Sequence, residues 1–156
     1  MRSSCWILRL VFRPLGVELD ILENRRIAGQ LLSLIHILTF LDHDDYLEPD
    51  AIWQLIRAIH LTDADLLYGD EALTDENLRG ILEFRLRPAF SHDYYLSHPY
   101  FVHPICVRTE IARAIGGWDE NLPISADVDF VLRVIEAARR VAHVPAVPAA
   151  RGPAAR

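Results

Sequence analysis

The sequence predicts an α/β domain with a mostly parallel sheet flanked by helices, and three observations carry that expectation. The first is Leu38-Thr39-Phe40-Leu41, a short apolar run suited to a strand buried on both faces, which stops abruptly in Asp42-His43-Asp44-Asp45. The second is the helix expected over residues 50–61, where Ile52, Leu55, Ile56 and Ile59 recur at the spacing of one buried stripe. The third is another short apolar strand, residues 65–68, which also runs into acids at Gly69-Asp70-Glu71. Carboxylates gathered at the carboxyl ends of strands lie where open α/β sheets leave a crevice for ligands.

Composition bounds the reading. At 156 residues, 51% hydrophobic and 24% charged, the chain suits one globular domain with a real core. A formal net charge of -6, with no basic stripe, argues against nucleic acid as the partner. Cys5 and Cys106 lack any metal-ligand spacing and read as free thiols in a reducing compartment. Nothing approaches the roughly 18 to 20 uninterrupted apolar residues of a membrane span, and Arg9 and Arg13 break the amino-terminal run before it resembles a signal peptide. The expected location is the cytoplasm, or the cytoplasmic face of a membrane.

In chain order, residues 5–12 read as a strand, closed by the turn residues Arg13-Pro14-Leu15-Gly16. Residues 17–22 alternate, with Val17, Leu19 and Ile21 on one face, and residues 31–38 are ambiguous between helix and strand. In the acidic cluster, an extended backbone points Asp42 and Asp44 the same way, so that both can approach one Mg2+ or Mn2+ ion completed by water and phosphate oxygens. The plainer alternative is that Asp44 or Asp45 only starts the next helix. Residues 72–80 read as an exposed loop. Residues 84–101 are rich in aromatics, for most of which core packing is the expectation and stacking on sugar rings the alternative, and His92, His98 and His103 suggest packing or hydrogen bonding around a cleft rather than a zinc site.

Residues 104–107 suggest a strand, and Thr109 a cap for a short helix closed by Gly116-Gly117. A final helix is expected from Ser125 to about Arg140, burying Val128, Val131, Leu132 and Ile135. Asp127 at its start is either an N-cap or a general base held beside a cleft. Residues 141–147 suggest an edge strand. The domain is expected to span 1–148, with 149–156 a disordered tail.

Four motifs fall in one order: Phe40-Leu41-Asp42-His43-Asp44-Asp45, Tyr68-Gly69-Asp70-Glu71, Gly116-Gly117-Trp118-Asp119-Glu120 and Asp127-Val128-Asp129-Phe130. Over residues 38–145 the chain thereby resembles a family 2 glycosyltransferase, which implies the Rossmann-like GT-A fold of nucleotide-diphospho-sugar transferases. The resemblance implies that Asp42 and Asp44 form the DXD metal motif, with Asp45, Asp70 and Glu71 lining the donor cleft. Asp127 would be the catalytic base of an inverting transfer, and Trp118, Asp119, Glu120 and His103 would form the acceptor side. The implied partners are a nucleotide-diphosphate sugar and a glycan or lipid-linked acceptor, as in polysaccharide biosynthesis. The Asn-x-Gly-like loop carries Arg26 where glycine is usual, residues 31–38 fill a shortened gap, and Pro145-Ala146-Val147-Pro148 departs from the family's continuation. The resemblance therefore implies an incomplete domain, lacking the usual nucleotide-binding opening and carboxyl-terminal end. Two outcomes stand open: a catalytic core, or a truncated non-catalytic remnant that binds donor weakly or not at all. A phosphohydrolase with Asp42 as nucleophile is disfavoured, because no Asp-x-Asp-x-Thr pattern follows.

Overall fold

The computed structural model describes residues 5–13, 16–22, 37–42, 45–75, 80–119, 121–122 and 125–151. The strands are β1 (Cys5–Arg13), β2 (Gly16–Leu22), β3 (Ile37–Asp42), β4 (Asp45–Leu47), β5 (Leu66–Thr74), β6 (Ile81–Arg85), β7 (Ile105–Arg108) and β8 (Val141–Arg151). They join one sheet in the order β2-β1-β3-β7-β5-β8-β4, with β6 added beside β5. The helices are α1 (Ala51–Thr62), α2 (His92–Ser97), α3 (Thr109–Ala114) and α4 (Ala126–Ala137).

The sheet is mixed, which corrects the mostly parallel expectation. β3 pairs antiparallel with both β1 and β7, β5 pairs antiparallel with β7 and β6, and among the described residues only β5 and β8 pair in parallel. The apolar run reported burial, and burial on both faces does not fix strand direction. Because β7 is antiparallel to both of its neighbours, β3 and β5 still run the same way, one strand apart.

Alternation along the central strands divides the core into two faces. Leu38 and Phe40 of β3 and Leu66 and Tyr68 of β5 pack with Phe130, Val131, Val134 and Ile135 of α4. Ile37 of β3, Leu67 of β5, Cys106 of β7 and Val144 of β8 face the opposite way, against Leu55 of α1. This is why residues 38–41 are all buried, with the one polar side chain, Thr39, satisfied by donating to the Ile105 carbonyl at 3.0 Å. Burial pushes the Cys106 thiol up to about 12, although a hydrogen bond with Thr39 opposes the shift.

Several boundaries differ from expectation. β5 does not stop at its acids but continues through Asp70 and Glu71 to Thr74, so the first residues of the expected 72–80 loop are a buried strand forming a hairpin with β6. Their burial is stabilised by pairing with β6 on one side and β8 on the other. β8 is not an edge strand, since β4 pairs along its far side, and it runs on to Arg151 through the first residues of the expected tail. Residues 152–156, and the ambiguous residues 31–36, lie outside the described residues. Thr109 is the first helical residue of α3 rather than its cap, which is Arg108. α4 ends at Ala137, where Ala138 turns extended.

The start of β5 is anchored by Asp65, whose side chain has no exposed surface. Its carboxylate accepts hydrogen bonds from the Arg139 backbone N–H at 2.7 Å and Arg139 Nη2 at 3.0 Å, with Arg108 Nε at 3.2 Å. Burial alone would raise its pKa; the hydrogen bonds and positive charge of Arg139 outweigh burial and hold it below the usual carboxylate value.

Candidate functional site

Gly69 sits where β8 crosses closest to β5. A Cβ built there would lie 2.5 Å from Pro148 Cγ, and the β5–β8 register shifts between Gly69 and Glu71. The glycine thus admits Pro148, and the shift carries Ala149 alongside Glu71.

Beside this crossing lies a cavity of about 240 Å³, lined by Asp45, Glu71, Arg85, Arg87, Pro99, Val102, His103, Pro104, Asp127 and Ala149. Each functional group arrives from a different element. Asp45 opens β4, Glu71 comes from the middle of β5, Arg85 ends β6, and His103 precedes β7. Asp127 comes from the first turn of α4, whose N-cap is Ser125, with φ 61° and no side-chain cap bond. The N-cap reading of Asp127 is thereby corrected: its Oδ1 accepts from the adjacent Val128 N–H at 2.9 Å.

Asp127 Oδ2 lies 3.7 Å from His103 Nε2. The neighbouring His103 imidazole holds the carboxyl below its usual range, with partial burial opposing and the α4 backbone assisting. Asp129, two residues on, is engaged elsewhere: its carboxylate meets Arg133 at 2.7 Å, and Arg133 also donates to the Ile115 and Gly117 carbonyls. That clamp ties α4 to the turn after α3, where Gly116 and Gly117 adopt φ 82° and 75°, conformations that favour glycine.

The acids of β5 are met by bases that the sequence reading did not single out. Arg87 Nη2 donates to Glu71 Oε1 at 2.6 Å, and Arg85 Nη1 lies 4.0 Å from Glu71 Oε2. Asp70 faces away from the cavity lining; its Oδ1 accepts from the Arg87 N–H at 2.7 Å and lies 2.8 Å from His143 Nε2. The signal for the arginines was present in Arg85-Leu86-Arg87, since alternate residues of an extended segment share a side.

The structure thus brings Asp45, Glu71, His103 and Asp127 together and puts Asp70 just behind them. The acceptor-side residues divide. Trp118 stacks with Phe130 at 5.5 Å and Phe40 at 5.9 Å, as part of the core packing, and Asp119 accepts from the Asn121 N–H. Glu120 and Asp44 lie outside the described residues, as does the side chain of Asp42, so the metal pair is an expectation carried forward. Among the described residues no cluster of three or more His, Cys, Asp or Glu side chains is grouped to hold a metal. Among them, too, no helix is long and apolar enough to cross a membrane.

No family model matches the chain. A curated relative, the uncharacterized protein y4gI of Sinorhizobium fredii (strain NBRC 101917 / NGR234), is 27% identical over 144 residues, covering 89% of this chain and 15% of its own length. Two solved structures of S. aureus TarS 1-349, one in complex with UDP, superpose with a TM-score of 0.61 at 17% identity. They cover 82% and 83% of this chain and 39% of TarS, so the chain spans well under half of the proteins it resembles. The chain accordingly shares an α/β fold with TarS across most of its length.

Proposed function

We propose that the cavity binds a nucleotide-diphosphate sugar and that the chain is the core of a glycosyltransferase, with Asp127 as general base. The observation that carries this reading is the Asp127 carboxylate, 3.7 Å from His103 Nε2 and facing a cavity that also holds Arg85 and Arg87. An ionised carboxylate accepts a proton from an acceptor hydroxyl, and fixed guanidinium charge stabilises the negative charge that develops on a departing diphosphate. Base and arginines on one cavity are what a displacement at the sugar carbon needs, and in-line attack would invert that centre. The UDP held by TarS makes uridine diphosphate the first ligand to try.

A divalent cation, Mg2+ or Mn2+, belongs to this proposal through the acidic stretch 42–45. Asp45 brings a hard carboxylate oxygen to the cavity. A divalent cation there would add charge stabilisation for the leaving diphosphate. Asp42 and Asp44 are the residues proposed to hold it, with Asp45 beside them.

Calorimetric titration with UDP and Mn2+ tests the reading. Binding should be seen for the parent, be lost in Asp44→Asn and persist in Asp127→Asn. Absence of UDP binding in the parent, with and without metal, would reject the donor site. Donor binding without any transfer to a glycan or lipid-linked acceptor would favour the non-catalytic remnant.

A further inference from the structure

We propose that two copies of this chain associate through β6, edge to edge and antiparallel, about a two-fold axis at Phe84. Among the described residues β6 pairs only with β5, so its other edge is a sheet margin with backbone groups able to accept a further strand. The margin is unusually apolar. Ile81, Leu82, Phe84 and Leu86 are 56%, 65%, 57% and 71% exposed, four large side chains within six residues. Edge strands that stay single are commonly blunted by charge, proline or brevity, and a concentrated apolar margin marks a contact.

The sequence of the strand identifies the occupant. Leu82-Glu83-Phe84-Arg85-Leu86 is complementary to itself when reversed. Antiparallel pairing centred on Phe84 places Leu82 opposite Leu86, Glu83 opposite Arg85, and Phe84 against its own copy. Because the axis generates each contact twice, two Glu–Arg pairs and two Leu–Leu pairs flank one aromatic pair. Within one chain Arg85 Nε already lies 3.5 Å from Glu83 Oε1, so both charges sit on one face, ready to exchange partners across the axis. A unit with net charge -6 would otherwise repel its copy, and this strand offers a locally neutral contact. The bulge between Leu73 and Thr74, opposite Leu82, limits the shared ladder to a short segment and predicts a modest, concentration-dependent dimer.

The test uses complementary charge variants of the whole chain. The parent should shift from monomer to dimer with concentration in sedimentation equilibrium. Glu83→Arg and Arg85→Glu should each weaken self-association about tenfold, since each places like charges opposite one another twice in the interface. An equimolar mixture of the two variants restores both opposite-charge pairs and should form a heterodimer as tight as the parent's dimer. Phe84→Lys, with an unchanged melting transition, should be monomeric and guards against a charge variant that folds poorly. A parent that stays monomeric into the high micromolar range overturns the proposal, as does a mixture that associates no better than either variant alone. Dimers that survive Phe84→Lys would move the interface elsewhere and overturn it equally.

Discussion

Strand β5 meets a carboxylate–arginine set at each end, and the two sets do opposite things. At its start Asp65 is fully enclosed, every oxygen engaged by Arg139 or Arg108, so that its charge joins α4, β7 and β5 into one unit. Near its far end Glu71 holds Arg87 and Arg85 beside an open cavity that Asp127 also faces. The residue types are the same. Enclosure turns the first set into architecture, whereas access to solvent and to a ligand leaves the second free to change partners. A paired acid therefore signals chemistry only when one side of the pair stays reachable.

The comparison breaks most sharply at Asp127. Asp127→Asn keeps the shape but removes the proton acceptor, and transfer should fall by about 10²- to 10⁴-fold while UDP binding and the melting transition stay near the parent. Equal loss of binding and transfer in this variant would make Asp127 part of the donor pocket instead. Asp65→Asn should do the reverse. Losing charged hydrogen bonds at a buried site should cost about 2–3 kcal/mol of stability by denaturant titration, with no specific effect on ligand affinity in the folded protein. Its pH signature has a definite sign: the folded pKa is depressed, so the stabilisation is complete above the unfolded value of about 3.9 and lost as pH falls through the lower folded value. The Asn variant should lack that acid-side slope. The smallest effect is expected from His103→Gln. Without the imidazole beside it the Asp127 pKa should rise toward its ordinary value, moving the acid limb of the pH–rate profile upward with little change at neutral pH. A carboxyl titration followed by NMR checks the shift directly.

Much of this site was legible in the residues. Periodicity located α1 and α4, two apolar runs located β3 and β5, the acids that end or interrupt those runs led to Asp45 and Glu71, and the start of α4 led to Asp127. Strand direction was not legible, because Leu38, Phe40, Leu66 and Tyr68 on one face and Ile37 and Leu67 on the other record two covered faces under either pairing. The continuation of β8 past residue 147, and its place inside the sheet, were hidden by Pro145 and Pro148, which ordinarily demote a strand to an edge. The structure accommodates both, since the β5 partners skip from Val144 to Ala149 and neither proline lies at a paired position along β5. Arg87 and His143 escaped notice because their partners lie 16 and 73 residues away, and only the fold brings those pairs together.

The passage of Pro148 over Gly69 carries a consequence for how this sequence can drift. Two positions 79 apart share one small volume, so neither is free to vary alone. A methyl at Gly69 collides with the proline ring, and Gly69→Ala should destabilise by about 1–3 kcal/mol. Pro148→Ala should relieve most of that loss in the double variant while costing little itself. In related chains the two sites should therefore change as a pair, a larger residue on β5 accompanying a smaller one on β8. The strand crossing beside the cavity would then be inherited as a matched couple, although neither member carries a group that reacts.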